Sequence, residues 1–484
     1  MFGKSSKYST TDIFESLPVP RAVRTMAVPT IMGQLIVLIY NMADTFFIGR
    51  TNNPAMVAGA SLILPIFNIS ISIACLAGVG GGSQISRLLG EKKNEEAERV
   101  SSFSVWFSLL IGGLFSLMVL IFMDPLLGLL GAGSETKGFA ASYAFCVIVL
   151  GGIPTVMTNV LSNLVRSVGE SGKAGFGVMM GGIINMILDP IFMFLLFPRG
   201  MEIVGAGTAT CLSNCISCAY FLVTILRMKK DSVVRLGFPK RLPRRSSIRM
   251  IFTVGIPSSV STLLFDLDYV VIDRLMSSYS DTALAAIGIV LKAERLPLNV
   301  GIGICQGMVP IVAYNYASGD HKRMHETIRF SRTLGIVFAL ASICMYEILA
   351  PYIMRFFIDD AATVSLGTGF LRIRSLATVL MFLSFFHVHL FNSFGRGREA
   401  LFLGVVRWAV FNIPMLFLLN GIFGMYGIVW SQFTADILTV SLSFYVFACF
   451  VREHFPGDQD FLILRVSGGK LCQQSVIMQA LIRK

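Results

Sequence analysis

The sequence predicts an all-α polytopic membrane protein, with twelve transmembrane helices in two six-helix bundles related by a pseudo-two-fold axis along the membrane normal. Three observations carry that prediction. Charged residues are only 14% of the 484 and hydrophobic residues 54%, whereas soluble globular proteins carry about 25% charge. Apolar runs long enough to cross a hydrocarbon core of about 30 Å as helices recur along the whole chain. Landmark residues repeat between the two halves at a nearly constant offset.

The apolar runs are built from Leu, Ile, Val, Phe, Met and Gly without period-two alternation, which favours helices over an outer-membrane barrel. They place spans 1 to 12 at 25–48, 55–80, 100–123, 136–160, 171–196, 203–227, 249–275, 283–317, 328–355, 362–393, 399–421 and 424–451. The eighth and tenth are long enough to be broken or tilted.

The net charge of +12 first suggests an acidic or nucleic-acid partner, but its placement says otherwise. With the N-terminus inside, 31 of the 40 Lys and Arg fall in cytoplasmic segments, including nine from Arg227 to Arg249 and three from Arg396 to Arg407. The outer loops hold Arg50, Lys137, Arg199, Arg274 and Arg355, and Lys292, Arg295, Arg372 and Arg374 fall in or beside spans. This positive-inside pattern predicts both termini cytoplasmic and no nucleic-acid role. Met1–Arg24 has no apolar signal-peptide core, so no cleavage is expected.

The halves align by ordered pairs. Pro29 matches Pro257 (offset 228), Asp44 matches Asp268 (224), Pro125 matches Pro351 (226), Gly169 matches Gly395 (226), Pro190 matches Pro414 (224) and Gly205 matches Gly427 (222). Six spans per half give both repeats the same orientation, hence the axis along the membrane normal. The organisation read is a cytoplasmic segment (1–24), a first bundle (25–227), a basic linker (228–248), a second bundle (249–451) and a cytoplasmic tail (452–484). Duplication also occurs in channels and membrane enzymes, but with twelve spans it favours a secondary transporter.

Charges inside spans are costly and therefore functional candidates. Asp44 in span 1 and Asp189 in span 5 lie at similar depth, and Asn185, four residues before Asp189, shares its helical face. Thr208 and Thr210 enter span 6 nearby. Two carboxylates with an amide and a hydroxyl can hold a proton, hold Na⁺ through oxygen ligands, or form a structural pair. In the second half, Asp266 and Asp268 sit two apart and do not share a face. Lys292 and Arg295, three apart in span 8, could face a common cavity, with Glu294 neutralising a basic neighbour or binding a cationic substrate. These four residues, Asp268, Lys292, Glu294 and Arg295, are substrate or gating candidates, against the alternative of a local ion-pair network.

Other patterns carry less. Cys211, Cys215 and Cys218 form a helical stripe read as packing rather than a thiolate metal site, and His387 with His389 face apart, so no metal site is expected beyond Na⁺ at Asp44 and Asp189. Gly80–Gly81–Gly82 is not followed by the Gly-Lys-Ser/Thr run of a phosphate loop. With no catalytic constellation evident, no enzymatic activity and no cofactor are expected, and the energy source is an ion gradient.

Several motifs resemble one family. Ala27–Val28–Pro29–Thr30 with Asn41–Met42–Ala43–Asp44–Thr45–Phe46–Phe47–Ile48–Gly49–Arg50, Gly181–Gly182–Ile183–Ile184–Asn185–Met186–Ile187–Leu188–Asp189–Pro190, Gly205–Ala206–Gly207–Thr208–Ala209–Thr210 and Gly307–Met308–Val309–Pro310 with Tyr314–Asn315–Tyr316–Ala317 are similar to those of MATE (multidrug and toxic compound extrusion) transporters, nearest the bacterial MepA-like branch. The resemblance implies a V-shaped exporter in the bacterial inner or plasma membrane, exchanging H⁺ or Na⁺ for amphipathic, often cationic organic molecules, working as a monomer in the lipid bilayer. It assigns cation coupling to Asp44, Asn185, Asp189 and Thr208. Coupling acids found in spans 7 and 10 of some members have no counterpart in span 10, which lacks Asp and Glu between Ala362 and Ser393. A lipid-linked oligosaccharide flippase is the runner-up, kept open by Lys292, Arg295, Arg372 and Arg374, and a non-transporting receptor or scaffold is the third reading.

Overall fold

The computed structural model describes residues 9, 11–229, 232–239 and 241–455, without the Asp266 side chain. The tail expected at 452–484 therefore lies outside the described residues beyond Phe455, as do parts of the N-terminal segment and linker.

Apolar composition dictates helix almost everywhere, because a backbone in lipid must satisfy its own hydrogen bonds. Ten helices run unbroken: Val19–Gly49, Pro54–Gly90, Asn94–Ile121, Ser171–Leu196, Glu202–Arg227, Arg245–Ser277, Asp281–Ser318, His321–Phe357, Gly397–Phe423 and Met425–His454. They are spans 1–3, 5–9, 11 and 12. Spans 4 and 10 are bent pairs, Ser134–Leu150 with Gly152–Ser167 (47°) and Ala361–Ser375 with Thr378–Ser393 (46°).

The breaks refine the expectation. Span 8 stays continuous over 38 residues despite Pro297 and Pro310. Span 10 breaks as one of the two suspects, and span 4 breaks where no break was foreseen. The breaks are equivalent, since Gly151 and Ala377 are separated by the same 226 residues as Pro125 and Pro351. At the second break the hydroxyls of Ser375 and Thr378 donate to the carbonyls of Arg372 (2.8 Å) and Ser375 (2.6 Å), compensating the interrupted helix. Gly169 and Gly395, another matched pair, both adopt positive φ (+88° and +70°) in the turn before spans 5 and 11.

Each half is a lobe with its own core. At the end remote from the N-terminus, one cluster around Ile63, Val147 and Ile203 draws only on the first half, and another around Ile287, Phe370 and Ile428 only on the second. At the opposite end, where the Lys and Arg concentrate, the lobes join. Gly80 and Gly255 let spans 2 and 7 touch backbone to backbone, because a Cβ on either would run into Ile251 or Leu76. Gly303 and Gly307 on span 8 do the same against Ile31 and Ala27 of span 1. Ser72 and Ser259 exchange hydroxyl-to-carbonyl hydrogen bonds across this seam (2.7 and 2.6 Å). The lobes are therefore closed together at the basic end and diverge away from it.

The segment before span 1 crosses that seam. Residues Asp12–Ser16 form a short π-helical turn, with the Ser9 N–H donating to the Asp12 carboxylate (2.8 Å) and holding it below the usual carboxylate range. Ile13 and Phe14 are buried against Ile311 and Tyr314 of the second lobe. Arg323 donates to the carbonyls of Phe14 (2.6 Å) and Ile13 (3.0 Å), Asn315 donates to Phe14 (3.2 Å), and Tyr314 hydrogen-bonds Glu15. The linker docks on the first lobe instead: Arg235 pairs with Glu98 (2.6 Å), and buried Glu96 accepts from the Arg244 N–H (2.7 Å) and the Ser247 hydroxyl (2.8 Å).

Candidate functional site

In the first lobe, span 1 lies tightly along span 5 because glycines remove the side chains between them. A Cβ on Gly175 would strike the Pro29 carbonyl, and one on Gly182 would lie 2.7 Å from Ile36 and 3.0 Å from Tyr40. Beyond this seam stand Asp44 on span 1 and Asn185 and Asp189 on span 5. Asn185 and Asp189 are 2% and 0% exposed, on one helical face as their spacing requires. Pro190 has no N–H to give the Met186 carbonyl, and a π-helical run, Phe192–Leu196, follows at once.

The hydrogen bonds here are incomplete. Asn185 Nδ2 donates to Asp189 Oδ1 (3.2 Å) and to the Thr210 hydroxyl (3.3 Å). The Tyr143 hydroxyl, on span 4, donates to Asp44 Oδ2 (3.4 Å). Asp44 Oδ1, Asn185 Oδ1 and Asp189 Oδ2 are buried with no partner. The register of the two helices, with Gly175 on Pro29 and Gly182 on Ile36 and Tyr40, brings Asp44 level with Asp189. Three unmatched oxygens, two of them carboxylate, make a region that attracts a proton or a small hard cation.

Thr208, the span-6 candidate, is placed elsewhere: its hydroxyl donates to the Val204 carbonyl (2.7 Å) and lies 3.8 Å from Cys146 Sγ. The hydroxyl turned to Asn185 is that of Thr210, two residues on and so on the other side of the helix. Tyr143 was not anticipated, and nothing in the apolar context of span 4 singles it out.

The second lobe treats its charges differently. Asp268, the repeat partner of Asp44, is buried and accepts from Asn412 Nδ2 (2.6 Å). Glu294 pairs with Arg374 (2.8 Å), both almost fully buried, so it neutralises a residue from span 10 rather than its neighbours on span 8. Arg374 continues to Gln432 (3.3 Å), Gln432 to Asp436 (2.9 Å), and Asp436 to Arg407 (3.0 Å). Arg407, counted above among the cytoplasmic charges, is corrected by this placement. It is 3% exposed inside span 11, in the π-helical run Val406–Asn412, stacked on Phe385 (4.5 Å) and Trp408 (4.3 Å). Asp436 was missed altogether, since its charge partner Arg407 lies 29 residues away and only the neutral Gln432 is local. Lys292 is exposed, and Arg295 lies over the Tyr269 ring at 4.8 Å.

Comparison with known proteins follows the same two-lobe division. The MatE family profile matches residues 29–191 and 257–418, once in each half. The multidrug export protein MepA of Staphylococcus saprophyticus is 30% identical over 451 residues, covering 93% of this chain and 98% of that protein, and MepA of Staphylococcus aureus strain MRSA252 gives the same identity and coverage. In fold, the chain is similar to an outward-facing multidrug resistance MATE family transporter of the MOP superfamily (TM-score 0.86, 21% identity, 93% of this chain and 99% of that one). It is also similar to a variant of the Vibrio cholerae MATE transporter VcmN (TM-score 0.84, 19% identity, 90% and 98%). With the profile repeated over both lobes and relatives aligned over nearly their whole length, the chain belongs to the MatE family of membrane transporters.

Proposed function

We propose that the chain is a cation-coupled antiporter of the plasma membrane, with both termini cytoplasmic, that expels amphipathic organic molecules by alternating access. The observation that carries this is the trio of buried, unpartnered oxygens on Asp44, Asn185 and Asp189. Each carboxylate has one oxygen engaged and one free, so a proton or Na⁺ completes the site and relieves the repulsion between two acids in low dielectric. Tyr143 and Thr210 orient Asp44 and Asn185 for that ion. An inward-moving charge contributes about 2.3 kcal/mol per 100 mV of membrane potential. The ion acts on transport only through unequal affinity for the two lobe arrangements, and span 1 is the link, since it carries Asp44 at one end and packs against Gly303 and Gly307 of the second lobe at the other.

Export of drugs is supported by the similarity to the multidrug export protein MepA. Each lobe builds its own core from its own half of the chain, which suits a monomer. The flippase reading loses support because Arg372 and Arg374, counted toward a basic diphosphate site, are engaged by Glu347 and Glu294.

The test is efflux of an amphipathic fluorescent dye from proteoliposomes under separately imposed pH and Na⁺ gradients. Efflux driven by one of them, with a loss of more than tenfold in Asp44→Asn and Asp189→Asn, is the expected result. Full gradient-driven efflux in both variants would remove the coupling assignment.

A further inference from the structure

Three cations within the second-lobe spans are matched to an acid: Arg374 to Glu294, Arg407 to Asp436 and Arg372 to Glu347. Lys292 and Arg295 differ, for among the described residues neither pairs with a carboxylate. Their direction follows from span 8 itself. Nearer the basic end, Gly303 and Gly307 meet span 1, and Gln306 accepts a hydrogen bond from Gln34 there (3.3 Å). Eleven residues make three helical turns within about 20°. Lys292 thus stands over Gly303, and Arg295 over Gln306, on the face turned to the first lobe but beyond the point where the lobes are joined.

Below them is an aromatic ledge. The Arg295 guanidinium lies 4.8 Å from the Tyr269 centroid and 5.9 Å from that of Phe265. Phe265 stands edge-on to Trp408 (5.3 Å) and Phe385 (6.4 Å). A guanidinium stacked on a ring keeps its in-plane N–H donors free, and those donors match a carboxylate two-pronged. The exposed Lys292 adds a second positive charge three residues away.

We propose that Lys292 and Arg295, on the ledge of Tyr269 and Phe265, form a subsite in the cleft for an acidic group attached to an aromatic ring. The inference rests on the transporter reading above and names its substrate class: aromatic carboxylates and zwitterions are taken in preference to simple organic cations. A monocation without an acid meets like charge at this wall, which disfavours it there. A zwitterion places its acid on Arg295 and its ring against Tyr269.

The probe is a zwitterionic xanthene dye with a free carboxylate, compared with its methyl ester, which keeps the ring and the positive charge. Both are titrated with purified protein in detergent by fluorescence anisotropy. The acid is expected to bind at least tenfold more tightly than the ester. Arg295→Gln and Lys292→Gln each reduce that ratio, the double variant brings it to one or below, and Arg295→Lys retains only part of it. Equal affinity for the two dyes in the unaltered protein would overturn the proposal, as would a preference surviving in the double variant. The ester affinity of each variant reports whether it is still folded. Because this binding needs no gradient, the two readings fail separately. Absent antiport with an intact acid preference removes the coupling mechanism alone, and intact antiport with no preference removes the subsite alone.

Discussion

Asp44 in the first lobe and Asp268 in the second occupy matched positions of one duplicated scaffold, yet their surroundings diverge. Among the described residues Tyr143 hydrogen-bonds Asp44, Asn185 hydrogen-bonds Asp189, no Arg or Lys pairs with either acid, and three oxygens are left open. Around Asp268 the lobe holds two Arg–acid pairs bridged by Gln432, and Asp268 takes a short hydrogen bond from Asn412. One lobe keeps its acid uncompensated, which suits an exchangeable ion. The other pairs Glu294 and Asp436 with arginines and gives Asp268 an amide partner, which suits a rigid wall. Duplication supplied the same positions twice, and the partners placed around them set the difference.

Three changes probe that contrast. The largest effect is expected where a buried charge is orphaned. Arg374→Met leaves Glu294 unpaired and should cost about 3–5 kcal/mol, whereas the double variant with Glu294→Gln should recover most of it. Thermal unfolding in detergent measures both, and equal destabilisation by the single and double variants would show that the pair is not the lobe's anchor. Next comes Gly175→Ala, whose Cβ has the Pro29 carbonyl in its way. Pushing span 1 off span 5 should cost about 1–3 kcal/mol and disable ion-driven efflux while leaving dye binding by the second lobe in place. The smallest contrast is between two neighbouring threonines. Thr210→Val removes the hydroxyl that Asn185 reaches and is expected to weaken ion-driven efflux several-fold. Thr208→Val, whose hydroxyl only returns to its own helix, should leave efflux unchanged. Reversal of that order would move the span-6 contribution back to Thr208.

The architecture was legible because it follows from run length. Apolar stretches of membrane-spanning size place the helix ends within seven residues of those observed, except that span 2 runs ten residues further, to Gly90, and proline and glycine landmarks reveal the repeat. The acid pair of the first lobe was legible too, since a carboxylate in an apolar span stands out. Rotational detail was not. Thr208 and Thr210 are distinguished only by which side of span 6 meets span 5. Arg407 looks like an end-of-span charge until its partner, Asp436, is brought from 29 residues away. Tyr143 is one aromatic among many. The continuity of span 8 through Pro297 and Pro310 also escapes a local reading, because neighbouring helices supply the support that a lone helix lacks.

The seat of Phe14 has a consequence for how the molecule is made. Its burial partners, Tyr314 and Arg323, lie some 300 residues further along the chain. At about 5–20 residues per second, synthesis leaves this segment waiting for about 15–60 s after it emerges. During that interval Ile13 and Phe14 are an uncovered apolar pair on a nascent chain, and span 1 enters the bilayer with its leading segment unfastened. Docking of Phe14 then waits until span 8 and the start of span 9 have been built, so this segment registers that the second lobe has begun to form.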